Sequence, residues 1–175
     1  LIFTLALTSS SWLTRNLIFR FKYLPIDVPN QRSSHFKKIP RGGGIVFVLI
    51  GSIGSIFLNS YSQIFCLPLA LIGILDDKLN ISRKIRYLIQ ILTALAILIY
   101  NNHIFDATKN IGIIYLSLLI IFFLIFITAI INFTNFIDGM DGLLGGSFLL
   151  IFGRMILNGD HSLIPLLGAL SGFLI

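Results

Sequence analysis

Every acidic residue of this 175-residue chain is an aspartate, seven in all. Two of them close an apolar run side by side, in Gly73-Ile74-Leu75-Asp76-Asp77-Lys78. Adjacent carboxylates repel, and the edge of a hydrocarbon layer raises the cost of their charge. A divalent cation would relieve both, and hard oxygen ligands favour Mg²⁺, with Mn²⁺ as a substitute, completed by substrate phosphates. The plain alternative is a helix end whose acids sit in water.

A second constellation is Asn132-Phe133-Thr134-Asn135-Phe136-Ile137-Asp138-Gly139-Met140-Asp141-Gly142. If helical, Asn132, Asn135 and Asp138 follow at three-residue steps on roughly one face, with Asp141 one step further. Their amides and carboxylates supply oxygen ligands and hydrogen-bonding groups, and the glycines allow backbone to approach a ligand closely. A turn with solvated acids is the alternative. The spacing, and the lack of a terminal glutamate, are not those of an EF-hand loop. Because the segment directly follows an apolar run, it reads as a site at a membrane surface.

The third element runs from Asp27-Val28-Pro29-Asn30-Gln31-Arg32-Ser33-Ser34-His35 through Lys37-Lys38-Ile39-Pro40-Arg41 to Gly42-Gly43-Gly44. Pro29 and Pro40 keep it irregular, and the glycines offer backbone N–H groups just before a helix begins. Arg32, Lys37, Lys38 and Arg41 can neutralise a diphosphate, arginine in a bidentate manner. His35, lying among them, is a candidate to touch substrate, whereas His103 and His161 fall elsewhere. Any one of these basic residues could equally serve topology alone.

The elements that position these residues follow from composition. At 56% hydrophobic and 11% charged, with mean hydropathy +0.95, the chain lacks the polar residues to cover a soluble domain. It is expected to be all-α, a polytopic transmembrane helix bundle with about seven spans or part-spans, each near the length a bilayer requires. These spans are placed at Leu1–Leu13, Gly44–Asn59, Ser62–Leu75, Tyr87–Asn101, Ile111–Ile131, Leu143–Leu157 and Ser162–Ile175. Residues Asn59 to Gln63 break the uncharged stretch Gly42–Leu75 as a hairpin turn would. The runs are apolar on all sides rather than striped, as expected where lipid and other helices surround a helix.

Positive residues are unevenly shared among the loops. Arg15, Arg20, Lys22, Arg32, Lys37, Lys38 and Arg41 belong to the first loop or its entrance, and Lys78, Arg83, Lys84 and Arg86 to the third. Lys109 and Arg154 fall on the other side. That bias puts loops one, three and five in the cytoplasm, and with them Asp27, Asp76, Asp77, Asp138 and Asp141. Net charge +6 and pI 9.8 therefore reflect topology, and no nucleic-acid partner is expected. A transporter would carry its acids at mid-bilayer rather than in loops of one face. The single cysteine, Cys66, excludes an internal disulfide.

The three motifs, in this order, resemble those of the polyprenyl-phosphate N-acetylhexosamine-1-phosphate transferases of glycosyltransferase family 4, in particular the O-antigen and common-antigen branch. The resemblance covers about residues 20–150. It implies a bacterial inner-membrane, multi-pass enzyme, active toward the cytoplasm, whose partners are undecaprenyl phosphate, a UDP-N-acetylhexosamine and the lipid bilayer, and with which a homodimer is compatible. It implies transfer of a sugar 1-phosphate to the lipid with release of UMP, the first step of a cell-envelope glycan such as lipopolysaccharide. Mg²⁺ is the implied cofactor.

Carried over by motif, Asp76 and Asp77 lie at the metal and lipid-phosphate centre, while Asn132, Asn135, Asp138 and Asp141 shape the nucleotide and diphosphate pocket. His35, Lys38 and Arg41 assist the phosphates. The family also has a later aspartate in a Phe-Met-Gly-Asp-like segment and a histidine-containing cytoplasmic loop, neither of which occurs in these residues. The chain, 1–175, is thus expected to be one membrane domain, the N-terminal part of a longer transferase domain. An inactive truncated remnant is the alternative expectation.

Overall fold

A computed structural model describes residues 1–20, 26–27, 39–40, 42–100, 112–137 and 142–175. The apolar runs are helices: α1 (Ile2–Arg20), α2 (Gly44–Ile56), α3 (Leu67–Leu79), α4 (Arg83–Tyr100), α5 (Ile113–Ile137), α6 (Leu143–Leu157) and α7 (Ile164–Leu174). Short 3₁₀ turns, Ser62–Cys66 and His161–Leu163, lead into α3 and α7. Beside them stands one antiparallel pair of two-residue strands, Ile26–Asp27 and Ile39–Pro40, with Ile26 opposite Pro40.

Local chemistry sets the helix ends. Asn59 (φ 56°) and Asn80 (φ 48°) adopt the left-handed conformation that asparagine tolerates better than most residues. The first ends the α2 side of the turn anticipated at Asn59 to Gln63, and the second caps α3, its N–H donating to the Asp76 carbonyl at 2.9 Å. Pro68 and Pro165 open α3 and α7, where a missing N–H costs nothing.

Several boundaries differ from the sequence expectation: α1 runs past Leu13 to Arg20, and α3 runs past Leu75 to Leu79, which makes Asp76, Asp77 and Lys78 helical rather than loop residues. Helix α4 starts at Arg83, so Arg83, Lys84 and Arg86 occupy its first turn rather than a loop, with the Ser82 carbonyl accepting the N–H groups of Ile85 and Arg86. Helix α5 runs on to Ile137, which makes Asn132 and Asn135 helical. Within α5, Ile113–Asn135 is long and apolar enough to cross a membrane, with mean hydropathy 3.0. Among the described residues it is the one helix that meets both criteria; α2, α6 and the His161–Leu174 segment are apolar but shorter. Among the described residues the regular structure is thus all helical apart from the small strand pair.

The tightest packing joins α1, α2 and α7. Gly168 lets the backbone of α7 approach Phe3 of α1, where a Cβ would lie 2.6 Å from the Phe3 carbonyl oxygen, and Gly172 does the same at the Leu7 carbonyl. Small residues at such crossings let helices gain dispersion contacts where water does not drive association. Along α7 the contacts advance from Phe3 to Leu7 on α1, so these two helices run parallel. On α2 they retreat, from Gly54 against Pro165 to Gly51 against Leu166 and Gly43 against Phe173, so α2 runs antiparallel to α7.

One end of the structure gathers the turns before α3 and α7 with the end of α4. There the Tyr61 N–H donates to the Tyr100 hydroxyl at 3.4 Å, and the Phe65 and Tyr100 rings lie 5.4 Å apart. Buried Gln63 donates to the Ser162 carbonyl at 3.5 Å, while its own carbonyl accepts from Ser52. The carboxylates lie at the other end of α3.

Candidate functional site

Asp76 and Asp77 occupy the last turn of α3. That is the unfavourable end for negative charge, because the unpaired carbonyls there carry the negative pole of the helix. A cation must compensate, and the next helix supplies one: Arg86 Nη1 donates to Asp76 Oδ2 at 2.5 Å. The contact is half-buried, with the Asp76 side chain 24% exposed and that of Arg86 39%. Asp77 faces outward. The three-residue link Asn80–Ser82 makes the pairing possible by folding α4 straight back along α3.

One turn along α4 from Arg86 lies Gln90, on the same face. Its carboxamide meets that of Asn132 on α5: Asn132 Nδ2 donates to Gln90 Oε1 at 2.8 Å, and Gln90 Nε2 approaches Asn132 Oδ1 at 3.5 Å. Asn132 Nδ2 also donates to the Thr128 carbonyl at 2.7 Å. Asn135, three residues on, is exposed. Helix α4 therefore carries two polar residues on one face, one holding the aspartate motif and the other the asparagine motif.

That face continues inward through Thr93, Ala94 and Leu98, all buried, while Leu88, Leu92 and Ile99 are exposed. Helix α4 is striped, contrary to the expectation of uniformly apolar runs. Arg86 and Gln90 were not singled out as site residues from sequence. The signal was present, since an amide within an apolar run seeks a partner inside the protein.

Of the other anticipated site residues, His35, Lys38, Arg41, Asp138 and Asp141 lie outside the residues whose side chains are described. What the structure gives is their flanks. The backbone of Ile26–Asp27 pairs with that of Ile39–Pro40, closing the first loop on itself. Gly142, with φ 75°, precedes α6, a conformation that suits glycine at the close of the Asp-Gly-Met-Asp-Gly segment.

Among the described residues no group of three His, Cys, Asp or Glu side chains converges to hold a metal. Two adjacent carboxylates are nonetheless the number that Mg²⁺ commonly takes from protein when phosphates complete its shell. By ligand type the two carboxylates suit such an ion. A cavity of about 570 Å³ lies elsewhere, between α1 and α2, lined by apolar groups including Leu5, Ile50, Ile53 and Phe57. It offers nothing for phosphate chemistry.

No curated protein and no solved structure matches the chain. The family model for glycosyl transferase family 4 matches residues 60–175, from the turn before α3 through α7, and so includes Asp76, Asp77 and the whole segment from Asn132 to Gly142. Members of that family are membrane-associated glycosyl transferases, in general acting on polyprenyl phosphates with sugar phosphates. With most of its length matched, this chain belongs to glycosyl transferase family 4.

Proposed function

We propose that the chain is part of an enzyme that transfers N-acetylhexosamine 1-phosphate from a UDP-sugar to undecaprenyl phosphate, releasing UMP, at the cytoplasmic face of a bacterial inner membrane. The observation that carries this reading is the link made by α4, which joins the Asp76 carboxylate to the Asn132 amide through Arg86 and Gln90. Family membership supplies the reaction class. A polytopic arrangement is supported by the parallel pairing of α1 with α7 and their antiparallel relation to α2, which is the pattern of helices that alternate across a bilayer.

In this reading an oxygen of the lipid phosphate bonds to the sugar-linked phosphorus, and the bond from that phosphorus to the bridging oxygen breaks. UMP leaves with the bridging oxygen. A phosphomonoester with a second pKa of about 6 is already largely ionised near neutrality, so no base is required. Such reactions depend on alignment and charge neutralisation. Asp76 and Asp77 would hold Mg²⁺, which supplies neutralisation of the diphosphate when bound. Arg86 restrains Asp76, and Asn135 together with Asp138 and Asp141 would orient the nucleotide, with His35, Lys38 and Arg41 over the phosphates.

The location follows the substrates. A polyprenyl chain stays in hydrocarbon while its phosphate reaches the surface, so its partners belong at helix ends, as Asp76 and Asp77 are. The test is transfer of label from UDP-N-acetyl[³H]hexosamines to undecaprenyl phosphate by the full-length protein in membranes. Mg²⁺-dependent, lipid-extractable product with equimolar UMP is expected. Absence of product with every UDP-N-acetylhexosamine tried would overturn the reading.

A further inference from the structure

We propose that Gln90 is a positioning residue of the transfer site, fixing through Asn132 where the last turns of α5 stand relative to the carboxylates of α3. This rests on the functional reading above for its consequence, though its structural part does not.

The orientation of both amides is determined. The Thr128 carbonyl can only accept a hydrogen bond, so the group that Asn132 turns toward it at 2.7 Å must be the NH₂. With that end fixed, the second hydrogen on Nδ2 points to Gln90, which must present its oxygen, at 2.8 Å, and Gln90 Nε2 is left opposite Asn132 Oδ1. Both Asn132 donors are thereby used. Asn132 cannot donate to a substrate without breaking one of these bonds, which makes it a strut between helices.

The surroundings make the strut specific. On α4 the neighbours Tyr87, Leu88 and Ile91 are exposed apolar groups, as are Ile130 and Phe133 on α5. A lipid-facing surface of this kind offers no replacement partner for a carboxamide. Sliding or rotating α5 against α4 would leave two amides unsatisfied, so the pair selects one register.

That register reaches the site in both directions. Arg86 is one turn from Gln90 on α4 and bonds Asp76. Asn135 is three residues from Asn132 on α5, and the Asp138–Asp141 segment follows it directly. Gln90 thus sets the separation between the two motifs without touching substrate itself. Misplacement by about 1 Å can cost on the order of a hundredfold in rate.

The experiment compares the full-length protein with Gln90→Leu, Gln90→Asn, and the exchanged pair Gln90→Asn with Asn132→Gln, in lipid nanodiscs. Steady-state transfer and hydrogen–deuterium exchange at residues 131–137 are both measured. Gln90→Leu is expected to lower kcat by about tenfold or more while each KM stays within about threefold, the pattern of lost alignment rather than lost binding. Exchange at 131–137 should accelerate, and the exchanged pair should recover both properties relative to Gln90→Asn alone.

Unchanged kcat in Gln90→Leu, slowed transfer with unchanged exchange at 131–137, or no recovery by the exchanged pair would each overturn the proposal. Should Gln90→Leu fail to accumulate, Gln90→Asn and the exchanged pair decide it. Should the wild-type protein transfer nothing, the functional reading fails separately, and exchange at 131–137 alone decides whether Gln90 fixes the end of α5.

Discussion

Arg86 on the first turn of α4 donates to Asp76 on the last turn of α3 at 2.5 Å, across a three-residue link. The pair is too exposed to be a major source of stability, since ion pairs of this kind contribute about 0–1 kcal/mol. Its effect should appear in the reaction instead. Arg86→Gln is expected to shift the Tm of the solubilised protein by less than about 4 °C and to reduce sugar-phosphate transfer by about tenfold or more, as loss of an oriented charge in a transfer site does. Thermal melts and transfer assays on the same preparation check both. A large loss of Tm with proportionate loss of activity would instead make the pair a fold element.

Gly172 meets the Leu7 carbonyl of α1, a backbone atom that cannot rotate away. Gly172→Leu should therefore destabilise the α1–α7 contact by about 1–3 kcal/mol or more, as overpacking does. At Gly153, on α6, a Cβ would meet nothing within 4 Å. Gly153→Ala should be neutral or stabilise by up to about 1 kcal/mol through helix propensity. Denaturation midpoints of the two variants test the difference, and equal effects would contradict the packing described.

Much of this arrangement was legible in the residues themselves. Asn59 to Gln63 stood out as a break in an uncharged stretch, and left-handed Asn59 with the following 3₁₀ turn is that break. Asp76 and Asp77 stood out because acids at an apolar edge require a partner. That Arg86 pairs with Asp76 was not legible, because Arg86 reads as one of several basic loop residues until α4 is seen to begin at Arg83. Gln90 and Asn132 are far apart in sequence, and no local spacing announces that two amides will meet across helices. The basic residues from Lys22 to Arg41, with Asp138 and Asp141, lie outside the residues whose side chains are described.

Alternation of the helices gives a prediction about sidedness. Tyr61, Tyr100 and Ser162 gather at one end of the structure, and Asp76 with Arg86 at the other. In a Cys66→Ser background, Ser60→Cys and Asp160→Cys should react with a membrane-impermeant maleimide added outside spheroplasts, whereas Lys78→Cys should react only after permeabilisation. Reaction of all three from outside would contradict a cytoplasmic Asp76–Asp77 end.

The carboxylate pair yields the last prediction. If Asp76 and Asp77 together hold Mg²⁺, removing one charge weakens the site. Asp77→Asn should raise the Mg²⁺ concentration needed for half-maximal transfer by about tenfold or more, on the expectation that each lost carboxylate removes a strong oxygen ligand. Mn²⁺, which accepts similar oxygen ligands, should rescue part of the loss at high concentration. Mn²⁺ binding followed by electron paramagnetic resonance gives a readout independent of turnover. A variant with wild-type Mn²⁺ affinity and unaltered transfer would remove Asp77 from the metal site, and trapping of a phosphoryl group on Asp76 or Asp77 would replace direct attack by the lipid phosphate with a two-step reaction through the enzyme.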